Sequence, residues 1–312
     1  MRVVFLGTPK FAVPAFRKLL DNSHEICGVF TQPDRPVGRG QKLQPGAVKT
    51  LALANGIPVY QPEKIGLEEN RRVFEDLRPD FIVVVAYGQI LPDWVLQAAR
   101  FAPINIHASL LPKYRGAAPA AWAIINGETV TGVSAIKMHR KLDSGPVLLQ
   151  QQCPVSLIKN AGELGDDLSE IGASLLVQTL EAWCRNAMTP IEQDESKVSW
   201  APRITKAMAR ILWEKPALQI HNQIRGMNPW PGAYSDFRGG WLHIWRSMPG
   251  MEPLDIREIP GTFLGLSQDA MQVQCGEGTI ITLTEVQMPA KARVTGREFA
   301  NGARLRIGDR II

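Results

Sequence analysis

The sequence predicts an α/β chain, a doubly wound and mostly parallel sheet with helices on both faces, followed by a smaller β-rich C-terminal part. Two observations predict the first half. Strand-length apolar runs alternate with helix-length segments from residue 3 to residue 185, the pattern of βαβ units. The run at 81–86, Phe-Ile-Val-Val-Val-Ala, is apolar on both faces, as a central strand covered on both sides must be. A third observation predicts the second half. Beyond a polar, aperiodic stretch around 188–205, short runs of β character are separated by Gly and Pro, which suits a small barrel or sandwich.

The elements follow in order. Residues 3–6 read as a buried strand, 7–9 (Gly-Thr-Pro) as a turn, and 11–20 as a helix by its apolar spacing. A second strand is expected at 26–30 and a helix at 46–55. After the central strand, 92–100 reads as a short helix with Pro in its first turn. A strand at 104–107, an alanine-rich helix at 117–126, two strands at 133–138 and 147–155, and a long helix at 161–185 complete this part. Beyond it come one helix, 216–226, and strands near 233–237, 241–245, 261–266, 271–274 and 279–286. In doubly wound sheets, sites lie in loops beyond the carboxyl ends of the strands. That rule points at 7–9, 87–92 and 107–119.

At 312 residues the chain suggests two domains. The boundaries read as 1–188, a linker at 189–206, and 207–312. With 45% hydrophobic and 21% charged residues, it can bury a core without staples. The net charge of +5 is a mild basic bias, and it leans to the C-terminal third: from residue 201 onward there are 14 Lys+Arg against 10 Asp+Glu. That permits a polyanionic partner without demanding one. Cys27, Cys153, Cys184 and Cys275 are widely spaced, with neither zinc-ligand nor redox-motif spacing. No apolar run approaches the roughly 20 residues that span a bilayer, and the N-terminus lacks a signal-peptide run. The expectation is a cytoplasmic monomer without metal or membrane contact.

Three segments have chemical potential. Asn105 and His107 lie two apart on an extended run, which puts them on one face. An amide beside an imidazole can hold a developing oxyanion and manage a proton; a hydrogen-bonded core histidine and a strand-end amide explain the pair as simply. Asp143, in Lys-Leu-Asp-Ser-Gly-Pro at 141–146, has the composition of a turn. Its interest depends on whether it faces His107. The stretch 31–43 is long, Gly/Pro-rich and basic, with Arg35, Arg39 and Lys42 against Asp34. Such a loop suits a phosphate backbone or is simply solvated. Gly7-Thr8-Pro9 is not the G-x-G-x-x-G of nicotinamide or flavin sites. The Asn-Pro-Trp-Pro-Gly-Ala segment at 228–233 reads as a rigid turn with Trp230 packed beneath the second domain.

The segments Phe-Leu-Gly-Thr-Pro (5–9), Thr-Gln-Pro-Asp-Arg-Pro (31–36), Val-Val-Val-Ala-Tyr-Gly-Gln-Ile-Leu-Pro (83–92), Asn-Ile-His-Ala-Ser-Leu-Leu-Pro-Lys-Tyr-Arg-Gly-Ala-Ala-Pro (105–119), Leu-Asp-Ser-Gly (142–145) and Asn-Pro-Trp-Pro-Gly-Ala together resemble the methionyl-tRNA formyltransferases over nearly the whole chain. These belong to the 10-formyltetrahydrofolate-dependent formyltransferase superfamily. The resemblance implies a Rossmann-like catalytic domain and an OB-like C-terminal barrel. It implies 10-formyltetrahydrofolate as formyl donor and methionyl initiator tRNA as acceptor. Carried over by position, it makes Asn105, His107 and Asp143 catalytic. It gives Tyr87, Gly88, Gln89, Ile90 and Leu142, with Ser109, Leu110, Leu111 and Pro112, to the folate site. It gives Arg35, Arg39, Lys42 and Lys206 to the tRNA. Three places depart from the family pattern: Lys10, His139-Arg140-Lys141, and Ala207-Met208-Ala209.

Overall fold

A computed structural model describes residues 1–22, 24–37, 42–250 and 258–312. It forms two compact units. One comprises Met1–Gly116, Val130–Pro154 and Gly165–Ala201; the other comprises Ala117–Thr129, Val155–Leu164 and Pro202–Ile312.

The first unit is built on a seven-stranded sheet. Its strands are β1 (Arg2–Gly7), β2 (Glu25–Phe30), β3 (Val59–Tyr60), β4 (Phe81–Val85), β5 (Ala102–His107), β6 (Val130–Lys137) and β7 (Val147–Pro154). The spatial order is β7-β6-β5-β4-β1-β2-β3. The pairs from β5 through β4, β1 and β2 to β3 are parallel; β6 lies antiparallel to β5, and β7 antiparallel to β6. This is the mostly parallel, doubly wound sheet expected. Every side chain of β4 is buried, as an all-apolar strand between two covered faces requires. Ile104 and Ile106 of β5 are buried, and a Cβ built at Gly172 of the long helix Ala161–Cys184 would lie 2.8 Å from Ile106 Cγ2. The helix approaches that face so closely because Gly172 has no side chain. Asn105 and His107 point to the other face.

The sheet strand β3 and the helix Glu68–Leu77 are among the elements of this unit not read from the sequence. The helix turns only Asn70 and Phe74 fully inward, so its apolar stripe is too thin to register as periodicity.

The second unit has an antiparallel sheet, Ala233–Phe237, Gly240–Pro249, Ile280–Gln287, Ala270–Gln274 and Phe263–Ser267 in that spatial order, with Val294–Thr295 pairing on Ile280–Gln287. Its core includes Leu242, Ile244, Val273 and Leu283, with Ile220 and Ile224 from the helix Ala217–Gly226. Ala121, Trp122 and Ile125 of helix Pro119–Ile125 pack against the same core. A closing helix, Gly296–Gly302, has a capping box between Thr295 and Glu298, a pattern legible in Thr-x-x-Glu but not used above. Trp230 corrects the expectation made for it. It is 53% exposed, and Trp245 takes the place beneath the turn. Asn228 Nδ2 donates to Trp245 O at 2.9 Å, and a Cβ on Gly232 (φ +84°) would lie 2.8 Å from the Trp245 ring.

Candidate active site

Asn105, His107 and Asp143 meet. Strand β5 places the first two on one face, and the loop between β6 and β7 brings Asp143 over that face. Asn105 Nδ2 lies 3.4 Å from Asp143 Oδ1, and His107 Nδ1 lies 3.7 Å from Asp143 Oδ2. Both distances exceed a well-made hydrogen bond, so the carboxylate stands beside both groups without being locked to either. Its short bond comes from the Gly116 N–H, to Oδ2 at 2.9 Å. His107 Nε2 lies 3.0 Å from the carbonyl of Tyr114. That carbonyl can only accept, so Nε2 bears a hydrogen, and Nδ1 is the ring position free to serve a reactant or Asp143. The imidazole is 7% exposed and the carboxylate 10%. Both groups are largely screened from bulk solvent, which strengthens their interaction.

Asp143 has φ +48°. This is the left-handed region, which aspartate tolerates better than most L-residues because its short side chain bonds locally. Gln193 Nε2 donates to Asp143 O at 2.8 Å and to Gly145 O at 2.7 Å. Gln193 Oε1 accepts from Arg115 Nε at 3.0 Å and Nη2 at 2.7 Å. The Arg115 side chain is wholly buried and pairs with Glu195 at 2.7 Å. The Arg115 guanidinium, and after it the Lys141 ammonium, hold the Glu195 carboxyl down at about 2. None of Gln193, Glu195 or Arg115 was assigned a role from sequence. Gln193 and Glu195 sit in the stretch read as a linker, where nothing in composition or spacing marks them. A short parallel pairing, Trp200–Ala201 on Arg115–Gly116, ties the end of that stretch to the site loop.

The segment after His107 is held by hydroxyl bridges. Ser109 is fully buried, and its Oγ donates to Lys113 O at 2.6 Å. Ser134 Oγ donates to Ser109 O at 2.6 Å and accepts from Leu111 N at 3.0 Å. Gln150 Nε2 donates to Leu111 O at 2.9 Å. Leu111 is buried, while Leu110 and Pro112 are half-buried. Ser109 therefore shapes the loop with its side chain.

The loop after β4 holds four of the other residues expected to meet folate, and the loop between β6 and β7 holds Leu142. Tyr87 is buried in a cluster with Phe74, Leu91 and Val95, and burial pushes its phenol up to about 12. Its side chain is core, and only its main chain faces the loop, where its carbonyl accepts from Gln32 Nε2 at 3.1 Å. Gly88 has φ +88°, a conformation that favours glycine. Gln89 is spent on the backbone, accepting from Ile65 N at 2.8 Å and donating to Pro62 O at 3.1 Å. Ile90 is 89% exposed and Leu142 is 57% exposed. Uncovered aliphatic side chains of this kind suit the face of a flat heterocycle.

Arg35 is exposed and 3.9 Å from Glu63. Asp34 pairs with Lys49 at 2.6 Å and accepts from Gln61 at 2.9 Å, and these bonds hold its carboxyl below the usual range. Arg35–Val37 pairs antiparallel with Lys42–Gln44; Arg39 and the side chain of Lys42 lie outside the described residues. Lys206, in the second unit, is exposed at the start of the short helix Lys206–Ala209. The unusual cations each have an acid: Lys10 with Asp166 at 3.2 Å, Arg140 with Asp93 at 3.6 Å, and Lys141 with Glu195 at 2.8 Å. Among the described residues no helix is long and apolar enough to cross a membrane, and no cluster of His, Cys, Asp and Glu is placed to hold a metal.

The Formyl transferase family matches residues 1–180, and Formyl transferase, C-terminal domain, matches 203–304. The methionyl-tRNA formyltransferase of Trichlorobacter lovleyi is 44% identical over 307 residues, covering 98% of this chain and 96% of that protein. That of Clostridium novyi is 45% identical, covering 98% of each. Among solved structures, WlaRD, a sugar 3N-formyl transferase in the presence of dTDP and 5-N-formyl-THF, superposes with TM-score 0.68 at 19% identity, covering 94% of this chain and 99% of that one. HypX from Aquifex aeolicus in complex with tetrahydrofolic acid gives 0.63 at 18%, covering 96% of this chain and 47% of that one.

Proposed function

The chain belongs to the formyl transferase family, and from that premise we propose that it transfers the formyl group of 10-formyltetrahydrofolate to the α-amine of methionyl initiator tRNA. One observation favours this acceptor over an amino sugar. Methionyl-tRNA formyltransferases match at 44–45% identity across essentially the full chain, whereas solved sugar N-formyltransferases share the fold at 16–19%.

The folate supplies the formyl group and a leaving nitrogen. The chain's own residues handle charge and protons. Asn105 Nδ2 and the Nδ1–H of an imidazolium at His107 donate to the oxygen that turns negative as the amine attacks. One preorganised donor of this kind is worth about 3–4 kcal/mol. Asp143, 3.7 Å from Nδ1, holds the charged ring and relays the proton the amine sheds, through water, to the leaving nitrogen of the folate. Ile90 and Leu142 cover the pterin faces. The loop from Ser109 to Pro112 and the main chain from Tyr87 to Gln89 line the rest of the folate site.

Arg35, Arg39, Lys42 and Lys206 meet the tRNA backbone, with the catalytic part in 1–188 and the tRNA-binding part in 207–312. The reading places the protein in the cytoplasm as a monomer. The deciding assay offers the purified protein 10-formyltetrahydrofolate with charged initiator tRNA, charged elongator tRNA or a nucleotide-linked amino sugar. Formylation of the initiator species is expected, and preference for the sugar would overturn the reading.

A further inference from the structure

We propose that Gln193 is a positioning residue whose side-chain amide holds Asp143 in register with His107 and Asn105. The inference rests on the formyl-transfer reading and extends it to a residue outside the trio. Gln193 spends its whole hydrogen-bonding capacity on two segments. Its amide nitrogen donates to Asp143 O at 2.8 Å and Gly145 O at 2.7 Å, and its oxygen accepts twice from Arg115, at 3.0 and 2.7 Å. Gly116, next to Arg115, returns its N–H to the Asp143 carboxylate at 2.9 Å. The bonds close a ring that grips Asp143 at both ends, the carbonyl through Gln193 and the carboxylate through Gly116. The ring fixes the backbone of Asp143, at φ +48°, as well as its carboxylate. The far side of the loop is closed as well, since a Cβ built at Gly145 would lie 1.7 Å from Lys137 O. Glu195 backs the ring at Arg115 and reaches Lys141 on the same loop as Asp143.

A plainer role exists for Gln193: it satisfies a buried guanidinium, and its effect on Asp143 is incidental. The two roles use different atoms, so two variants separate them. Gln193→Ala removes donor and acceptor together. Gln193→Glu keeps an acceptor for Arg115 and loses the donor to Asp143 and Gly145. Formylation of initiator methionyl-tRNA is measured for wild type and both variants, with kcat and both KM values determined and thermal melts alongside. If wild type does not formylate the tRNA, the functional reading fails before Gln193 is tested. With wild type active, both variants are expected to lose kcat by roughly 10–100-fold, the cost of misplacing a reacting group by about 1 Å. Both KM values are expected to stay within about threefold. Wild-type kcat in Gln193→Glu would overturn the proposal, as would losses that appear in KM alone. If Gln193→Ala does not fold, Gln193→Glu decides by itself, because Arg115 keeps its partner there.

Discussion

The two halves of the site are held by different physics. Asn105 and His107 ride on β5, whose ladder bonds and buried neighbours fix them as part of the central sheet. Asp143 rides on a loop, in a backbone conformation that L-residues rarely adopt, and side chains and single N–H groups hold it. A strand orients its side chains by the same bonds that make the sheet, so its half of the site needs no extra parts. A loop must be clamped, and this clamp is assembled from Gln193, Arg115 and Glu195, far away in sequence. The strand half is therefore the robust one to perturb chemically, and the loop half the sensitive one to perturb mechanically.

That contrast can be broken in order of expected effect. His107→Ala should lower kcat by roughly 10³-fold, within the span of general acid–base contributions, and lower Tm as well, because it leaves the Tyr114 carbonyl without its donor. Activity near wild type would remove His107 from the mechanism. Asn105→Ala should cost about 10²–10³-fold in kcat, as one oxyanion donor does; a purely KM effect would instead make it a binding residue. Gly145→Ala touches no reacting atom, yet its Cβ has no room beside Lys137 O. It should drop kcat by roughly 10–100-fold through displacement of Asp143 and lower Tm as well. An unchanged kcat would show that the loop adapts and that the clamp is not needed.

Smaller effects probe the outer edge. Lys141→Gly removes an exposed partner of Glu195, 62% against 58% exposed. Kinetic constants should move by no more than about threefold and converge with wild type at high salt, as a screened surface pair does. Unchanged constants for both substrates at low salt would mean that Lys141 adjusts neither affinity. Glu195 gives a pH test. Its folded carboxyl sits at about 2 against an ordinary 4.5, and because the folded value is the lower, its contribution is complete above about pH 4.5 and is lost as pH falls toward 2. The Tm gap between wild type and Glu195→Gln should close over that window; a gap constant to pH 2 would contradict the pairing.

The legible parts share one trait: the information lies within a few adjacent residues. Phe81–Val85 announces a central strand by being apolar throughout, and Asn105 and His107 share a face by their spacing. Spacing did not separate a catalytic His107 from a core histidine. The structure shows why both readings had merit, since the ring is buried and bonded to Tyr114 O while its other nitrogen faces Asp143. Trp230 looked like a core anchor, yet Trp245 packs under its turn, because burial depends on which ring the antiparallel strands deliver there. Gln193 was invisible because a polar residue in an aperiodic stretch has no local signature.

By itself the sequence determined the doubly wound sheet, the β-rich C-terminal part, the shared face of Asn105 and His107 and, through its motifs, the family. Each is written in local periodicity or in contiguous residues. Tertiary structure alone decided that Asp143 meets His107, that Tyr87 is core while Ile90 and Leu142 stay uncovered, and that Gln193 closes the ring around the site loop. Those facts depend on contacts between residues as many as 78 positions apart, Arg115 to Gln193, and no local pattern encodes which distant partner a buried polar group will find.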